Sequence, residues 1–277
     1  MVSRASEGPT DPGAAARLLA RSIRQVILLA RHFGWEMPLQ EVPRSVPGAV
    51  AAARAGHHPP RAAPPAPQRS VQAVPAGIEA ERARRRILLA PIEAEIRACR
   101  ACVLCEKRKQ AVPGVGDPCA RLMFVGEGPG EDEDRRGEPF VGKAGQLLDR
   151  MILAMGLRRQ DVYIANIVKC RPPGNRTPDP REIISCLPYL RRQVEIIRPE
   201  VICALGAVAS RTVLDTTLPI GRLRGRFGEF QGIPVLPTFH PAYLLRNPAD
   251  KRLAWEDLQK VMDRLGQLES PGSPTRE

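Results

Sequence analysis

Four short apolar runs punctuate the second half of the chain, at residues 121–125, 162–168, 201–205 and 235–239. Each is bounded by Gly, Pro or charged residues and is too short for a buried helix, so each reads as a strand. The segments between them carry a helical period instead. Residues 144–155 place Leu147, Leu148, Met151, Ile152 and Met155 on one face, and helices are also expected at 78–98, 181–197, 207–214 and 249–265. Strands alternating with helices predict an α/β fold, a parallel sheet covered on both faces. In such sheets ligands bind at the carboxyl ends of the strands. Gly126-Glu127 follows the first run, Asn166 lies near the end of the second, and His240 follows the fourth. No internal repeat is visible.

Residues 1–80 have a different pattern. Residues 14–33 can form an amphipathic helix, with Leu18, Leu19, Ile23, Ile27 and Leu28 on one side and Arg17, Arg21, Arg24 and Arg31 elsewhere. Residues 37–77 are rich in Pro, Ala and Arg without periodicity and read as a disordered linker. The helix reads equally as a docking element for DNA or an unknown partner and as a loose attachment without a role in the chemistry. The expected division is an N-terminal extension (1–80), a catalytic-size domain (81–268) and a disordered tail (269–277).

Charge narrows the partners. A net charge of +12 on 277 residues favours a polyanion, because each cation near a phosphate releases a counterion. No apolar run reaches membrane-spanning length, and residues 1–12 lack a signal-peptide core, so a cytoplasmic, nucleoid-associated monomer without membrane contact is expected. Seven cysteines in that setting argue for metal ligation or buried thiols rather than disulfides. Cys99-x-x-Cys102 closes a helix, Cys170 follows the second strand and Cys186 lies on the next helix. Spacing alone fits a four-cysteine zinc site as well as an iron–sulfur cluster. Cys203, inside an apolar strand, reads as a core thiol. Cys105 competes with Cys102 by spacing, and Cys119 falls in a loop.

Gly126-Glu127-Gly128-Pro129-Gly130 follows a strand but matches neither dinucleotide nor Walker spacing. Such a loop lets backbone N–H groups face a ligand closely. The acids that follow, Glu131 to Asp134, read by themselves as solvated surface.

Taken in order, several segments resemble the family 4 uracil-DNA glycosylases: Cys99-x-x-Cys102-x-Leu104; Leu122 to Val125 with Gly126 to Glu131; Gly137-Glu138-Pro139-Phe140-Val141-Gly142-Lys143-Ala144-Gly145; Tyr163 to Pro173 around Asn166 and Cys170; Cys186; and Phe239-His240-Pro241 through Arg246. The resemblance covers about residues 85–265. It implies a three-layer α/β/α sandwich on a central parallel sheet of four strands, and a [4Fe–4S] cluster held by Cys99, Cys102, Cys170 and Cys186, with Cys105 left out. The implied activity is hydrolysis of the N-glycosidic bond of deoxyuridine in single- or double-stranded DNA, leaving an abasic site.

That activity gives the motif residues roles. The uracil nucleotide must be flipped into a pocket. Gly126 and Gly128 line it, and Phe140 fits a stacking platform. Asn166 carries an amide that matches O4 and N3–H of uracil, where cytosine reverses the pattern. The resemblance gives His240 the contact to uracil O2, stabilising charge on the leaving base. Glu127 and Glu133 are the candidates for positioning water, with Glu127 favoured by its proximity to the strand end. Lys143, Arg171 and Arg246 read as phosphate contacts, Leu245 with Leu244 as a wedge into the emptied stack, and Lys169 as a phosphate contact or surface residue. Two rival readings remain: a non-catalytic, metal-stabilised DNA-binding protein, and a superfamily relative preferring another damaged base.

Overall fold

The structure, a computed structural model, describes residues 76–269. The readings made for residues 1–75 lie outside the described residues. The sheet has six strands: β1 (Val115–Gly116), β2 (Leu122–Gly126), β3 (Tyr163–Asn166), β4 (Val201–Leu205), β5 (Gly228–Phe230) and β6 (Ile233–Thr238), in the order β1-β3-β2-β4-β6-β5. The four expected strands are its centre and run parallel, with β2 beside both β3 and β4, and β4 beside β6. The expectation of four strands missed the edges. β1 and β5 are antiparallel additions of two and three residues, too short to show an alternating pattern.

Helices cover both faces. They are α1 (Ala76–Ala98), α2 (Glu131–Arg136), α3 (Lys143–Ala154), α4 (Pro180–Ile197), α5 (Gly206–Leu214), α6 (Ile220–Leu223), α7 (Pro241–Arg246) and α8 (Lys251–Glu269). The two-residue period of the strands sorts the core. Met123, Val125, Ala165, Ile202 and Ala204 pack with Ile183, Leu187, Leu190 and Val194 of α4 and Val208 of α5. Leu122, Phe124, Ile164, Cys203 and Leu205 face the other way, onto Leu148 and Ile152 of α3 and Leu258 and Val261 of α8. Three layers follow, and Cys203 is the core thiol its context predicts.

α1 crosses the expected 80/81 boundary and belongs to the folded unit. Its Arg82 pairs with Asp117 at 2.7 Å, Arg85 donates to Ile197 O at 2.6 Å, and Glu95 pairs with Arg192 of α4. The acidic run is the clearest departure from expectation. It forms α2, and Glu133 and Asp134 are buried. Asp134 accepts from Lys109 N at 2.9 Å, tying the segment after the first cysteines to the loop after β2.

Candidate active site and cysteine cluster

All four parallel strands end at one place. Gly126 is the last residue of β2, Asn166 the last of β3, Gly206 follows β4, and His240 lies just past β6. The ladder continues one step beyond the strands: Ile167 N donates to Gly126 O at 2.9 Å and Val168 N to Glu127 O at 3.1 Å. This places Glu127 beside the end of β3.

Asn166 is 1% exposed, and its Oδ1 has no hydrogen-bond partner. A buried amide oxygen without a donor costs about 1–3 kcal/mol, so the site is built to receive a donor there. Close approach surrounds it. A Cβ on Gly126 would stand 2.5 Å from Asn166 Oδ1 and 2.6 Å from Phe140 Cζ. Only a glycine leaves the amide and the ring in place. Phe140 is held with φ at 53°, a left-handed backbone rarely taken by an aromatic residue. Its ring lies 5.6 Å from the His240 imidazole, tilted by 32°. Gly145 permits this turn, because a Cβ there would meet Phe140 O at 1.9 Å.

His240 caps α7. Its Nδ1 accepts from Ala242 N at 3.1 Å, so the neutral ring carries its proton on Nε2 and offers a donor away from the helix. Burial, and Arg246 nearby, push its pKa down to about 4 against the opposing pull of Glu133. Gly206, with φ at +89°, approaches the imidazole from below, where a Cβ would meet His240 Cβ at 2.9 Å. The end of β6 is anchored by Thr238, whose hydroxyl donates to the buried Asp257 of α8 at 2.7 Å, and Asp257 also pairs with Arg224.

The two carboxylate candidates separate. Glu133 is fully engaged: Oε2 accepts from Gly130 N at 3.1 Å, and Oε1 from Val141 N at 2.8 Å and Gly142 N at 2.9 Å. It fastens the two glycine-bearing loops together, which fixes the carboxylate in place and fills three of its four acceptor sites. Glu127 is half-buried, and burial raises its pKa. No side-chain hydrogen bond ties it down among the described residues. Of the pair it is the carboxylate not engaged in holding backbone.

The DNA-facing candidates lie outside the pocket. Lys143 is exposed at the first position of α3, and Leu245 and Arg246 are exposed on α7 while Leu244 is buried. Arg171 donates to Asn175 at 2.8 Å and Glu131 at 3.3 Å. Lys169 corrects its surface reading. It is 1% exposed, and its Nζ donates to Asn166 O at 2.9 Å and to Gln193 Oε1 at 2.7 Å. Burial lowers its pKa to about 8, against the opposing pull of Cys186. Its role is to hold the backbone at Asn166. An apolar neighbourhood on β3 and α4 hides it, and nothing local in the sequence signals a buried lysine. Gly206 was likewise missed, although a Gly opening a helix straight after a strand is the available cue.

Cys99, Cys102, Cys170 and Cys186 line one cavity, with Cys105, Lys169, Arg108 and Tyr189. Arg108 Nη1 donates to Cys170 Sγ at 3.0 Å, Lys169 N to Cys186 Sγ at 3.2 Å, and Ala101 N to Cys99 Sγ at 3.5 Å. Burial raises the pKa of Cys102, of Cys170 and, to about 12, of Cys186. Among the described residues no three His, Cys, Asp or Glu side chains are grouped to hold a single metal ion. The five thiols share the lining of this one cavity. Cys119 lies away from it, near Arg82 and Arg85.

Residues 113–259 match the Uracil DNA glycosylase superfamily. The chain belongs to that superfamily. Within it, this member is 47% identical to the Type-4 uracil-DNA glycosylase of Thermotoga maritima over 181 residues, covering 64% of this chain and 94% of the relative. It is also 47% identical to the Type-4 uracil-DNA glycosylase of Saccharolobus solfataricus, covering 62% of this chain and 83% of that protein. Similarity to the Type-5 uracil-DNA glycosylase of Pyrobaculum aerophilum is lower, at 36% over 173 residues. In the superfamily member described here, the segments carrying Gly126, Phe140, Asn166 and His240 all lie within the matched residues, while Cys99 and Cys102 precede them.

Proposed function

We propose that this chain is a monofunctional uracil-DNA glycosylase of the Type-4 kind, which hydrolyses the N-glycosidic bond of deoxyuridine in DNA and leaves an abasic site for repair. The family membership supports the activity, and the buried, unpartnered Asn166 Oδ1 is the observation that carries the residue assignments. Uracil supplies the missing donor through N3–H, and the Asn166 amide N–H meets O4. Cytosine would set an acceptor against Oδ1 and leave the cost of the unpaired oxygen in place. Phe140 stacks on the flipped base, a contact of about 1–3 kcal/mol. His240 donates from Nε2 to O2 as negative charge gathers there. A neutral imidazole is the appropriate donor, since it stabilises the departing anion without surrendering a full proton. Glu127 faces the sugar, where it stabilises the cationic transition state and orients the attacking water. Lys143 and Arg246 contact phosphates, and Leu245 fills the gap left by the flipped nucleotide.

The cavity's donor set fits a [4Fe–4S] cluster held by Cys99, Cys102, Cys170 and Cys186. Four thiols share one cavity with N–H donors to three of the sulfurs, and the likeness to the Type-4 enzymes favours the cluster over the zinc that cysteine spacing alone also allows. Its chemistry here is structural: it would cross-link the end of α1, the loop after β3 and α4. Cys170 lies four residues beyond Asn166, so the cross-link steadies the base-reading strand. A non-catalytic DNA-binding role would not need Phe140, Asn166 and His240 to meet at one strand-end pocket.

Residues 1–75 hold none of the site residues, and we propose that they are dispensable for excision on short oligonucleotides. The deciding experiment is single-turnover excision from uracil-containing single- and double-stranded oligonucleotides, with anaerobic iron and sulfide analysis. Release of uracil without strand cleavage is expected. Absence of excision would overturn the activity, and one zinc per chain without iron would overturn the cluster.

A further inference from the structure

Five thiols, not four, line the cysteine cavity. A four-ligand centre leaves Cys105 without a task, and the excision chemistry does not use it. Its position is specific. Cys102 caps the 3₁₀ turn Val103–Glu106, and Cys105 N donates to Cys102 O at 3.2 Å. That bond closes a single three-residue turn that starts at Cys102, whose own backbone is extended (φ −150°, ψ 166°). The intervening residues point elsewhere: Val103 is 61% exposed, and Leu104 is buried in the core beside α4. Cys102 and Cys105 therefore line the same cavity from the two ends of one turn, and Cys105 is among the groups that act on the Cys102 thiol. Arg108 fixes a positive charge on the same side, donating to Cys170 Sγ and interacting with Cys105 and Cys99. The thiols that act on Cys170 are Cys102 and Cys99, and those that act on Cys186 are Cys170 and Cys102, each an assigned ligand.

We infer that Cys105 is a reserve ligand, able to replace Cys102 on the iron–sulfur centre. This rests on the reading that the cavity holds such a centre. In the exchange, the iron–sulfur bond to Cys102 breaks and one to Cys105 forms. The proton leaves the Cys105 thiol and is taken up by the released Cys102 thiolate, and no electron is transferred. The reserve ligand protects the chain during transient loss of Cys102, when an open iron site would otherwise admit water or a chelator.

The test uses full-length protein prepared anaerobically, with iron, sulfide and visible absorption measured per chain. Wild-type protein lacking iron would refute the cluster itself, a different failure from that of the reserve role. With iron present in the wild type, Cys102→Ala retains iron, sulfide and the visible band. Cys102→Ala combined with Cys105→Ala loses them, as does Cys170→Ala, which has no spare thiol one turn away. Loss in Cys102→Ala as complete as in the double variant overturns the proposal, and so does retention in the double variant or in Cys170→Ala. If Cys102→Ala proves insoluble, the rate at which a chelator strips iron decides. Cys105→Ala alone should lose iron several-fold faster than wild type, and equal rates overturn the proposal.

Discussion

Replacing His240 tests the leaving-group contact directly. The side chain does two things that the structure separates. Nδ1 accepts from Ala242 N at 3.1 Å and caps α7, and Nε2 is thereby left as the ring's donor, the atom proposed to meet the base. Losing one preorganised donor to a developing oxyanion costs about 2.7–4 kcal/mol, or 10²–10³ in rate. Losing a helix cap costs typically ~1 kcal/mol of stability, a fall in Tm of about 2–4 °C for a domain of this size. His240→Ala should therefore stay folded, bind DNA nearly as well as wild type, and excise uracil more slowly by about 10²–10³. His240→Asn restores a good cap but carries a shorter amide, so Tm should recover while the rate does not. The assay is single-turnover excision with enzyme in excess, beside thermal unfolding and DNA-binding anisotropy. Acid dependence adds a second check. With its pKa down at about 4, His240 stays neutral well below the ordinary value of about 6.5. Its contribution to stability is present above the unfolded-state pKa and is lost as pH falls through the folded one. The rate should therefore show no titration step from His240 near 6.5. A near-wild-type rate in His240→Ala, or a step near 6.5 in wild type that vanishes in the variant, would refute the reasoning.

Other substitutions probe the surrounding shell. Asn166→Asp replaces the amide donor facing O4 with an acceptor, so uracil excision should collapse while cytosine becomes less strongly excluded; unchanged single-turnover excision of uracil would move base reading to the backbone of the Gly126–Gly130 loop. Glu133→Gln leaves one acceptor oxygen for three backbone donors, a loss of about 2–3 kcal/mol. That should lower Tm by roughly 4–12 °C, and calorimetry finding no shift would sink the loop-fastening role. Gly126→Ala puts a methyl group within 2.6 Å of both Asn166 Oδ1 and the Phe140 ring. It should reduce excision far more than it reduces DNA binding, whereas equal kcat/KM in the variant would show that the ring and amide do not define the pocket.

Periodicity in the sequence determined the layers. The unbroken apolar runs at 122–125 and 201–205 mark strands buried on both faces, and the helical stripe at Leu147, Leu148, Met151 and Ile152 supplies the cover on one of them. The strand-end positions of Gly126, Asn166 and His240 followed from the same pattern, because a parallel sheet directs all its carboxyl ends one way. What the residues do to one another was not legible, because those contacts join positions distant in the chain. Glu131 to Asp134 read as solvated acids until the fold buried Glu133 against amides eight and nine residues away. Lys169 read as a surface cation until packing enclosed it between Asn166 O and Gln193, the latter 24 residues distant. Glu127 was favoured by its place at the strand end, whereas the three backbone bonds that engage Glu133 are visible only in the fold. Equally, nothing in Cys102-x-x-Cys105 distinguishes a ligand from a spare. Only the fold brings both thiols to the lining of one cavity, while Cys170 and Cys186 arrive there from separate elements brought close by the burial of β3 against α4.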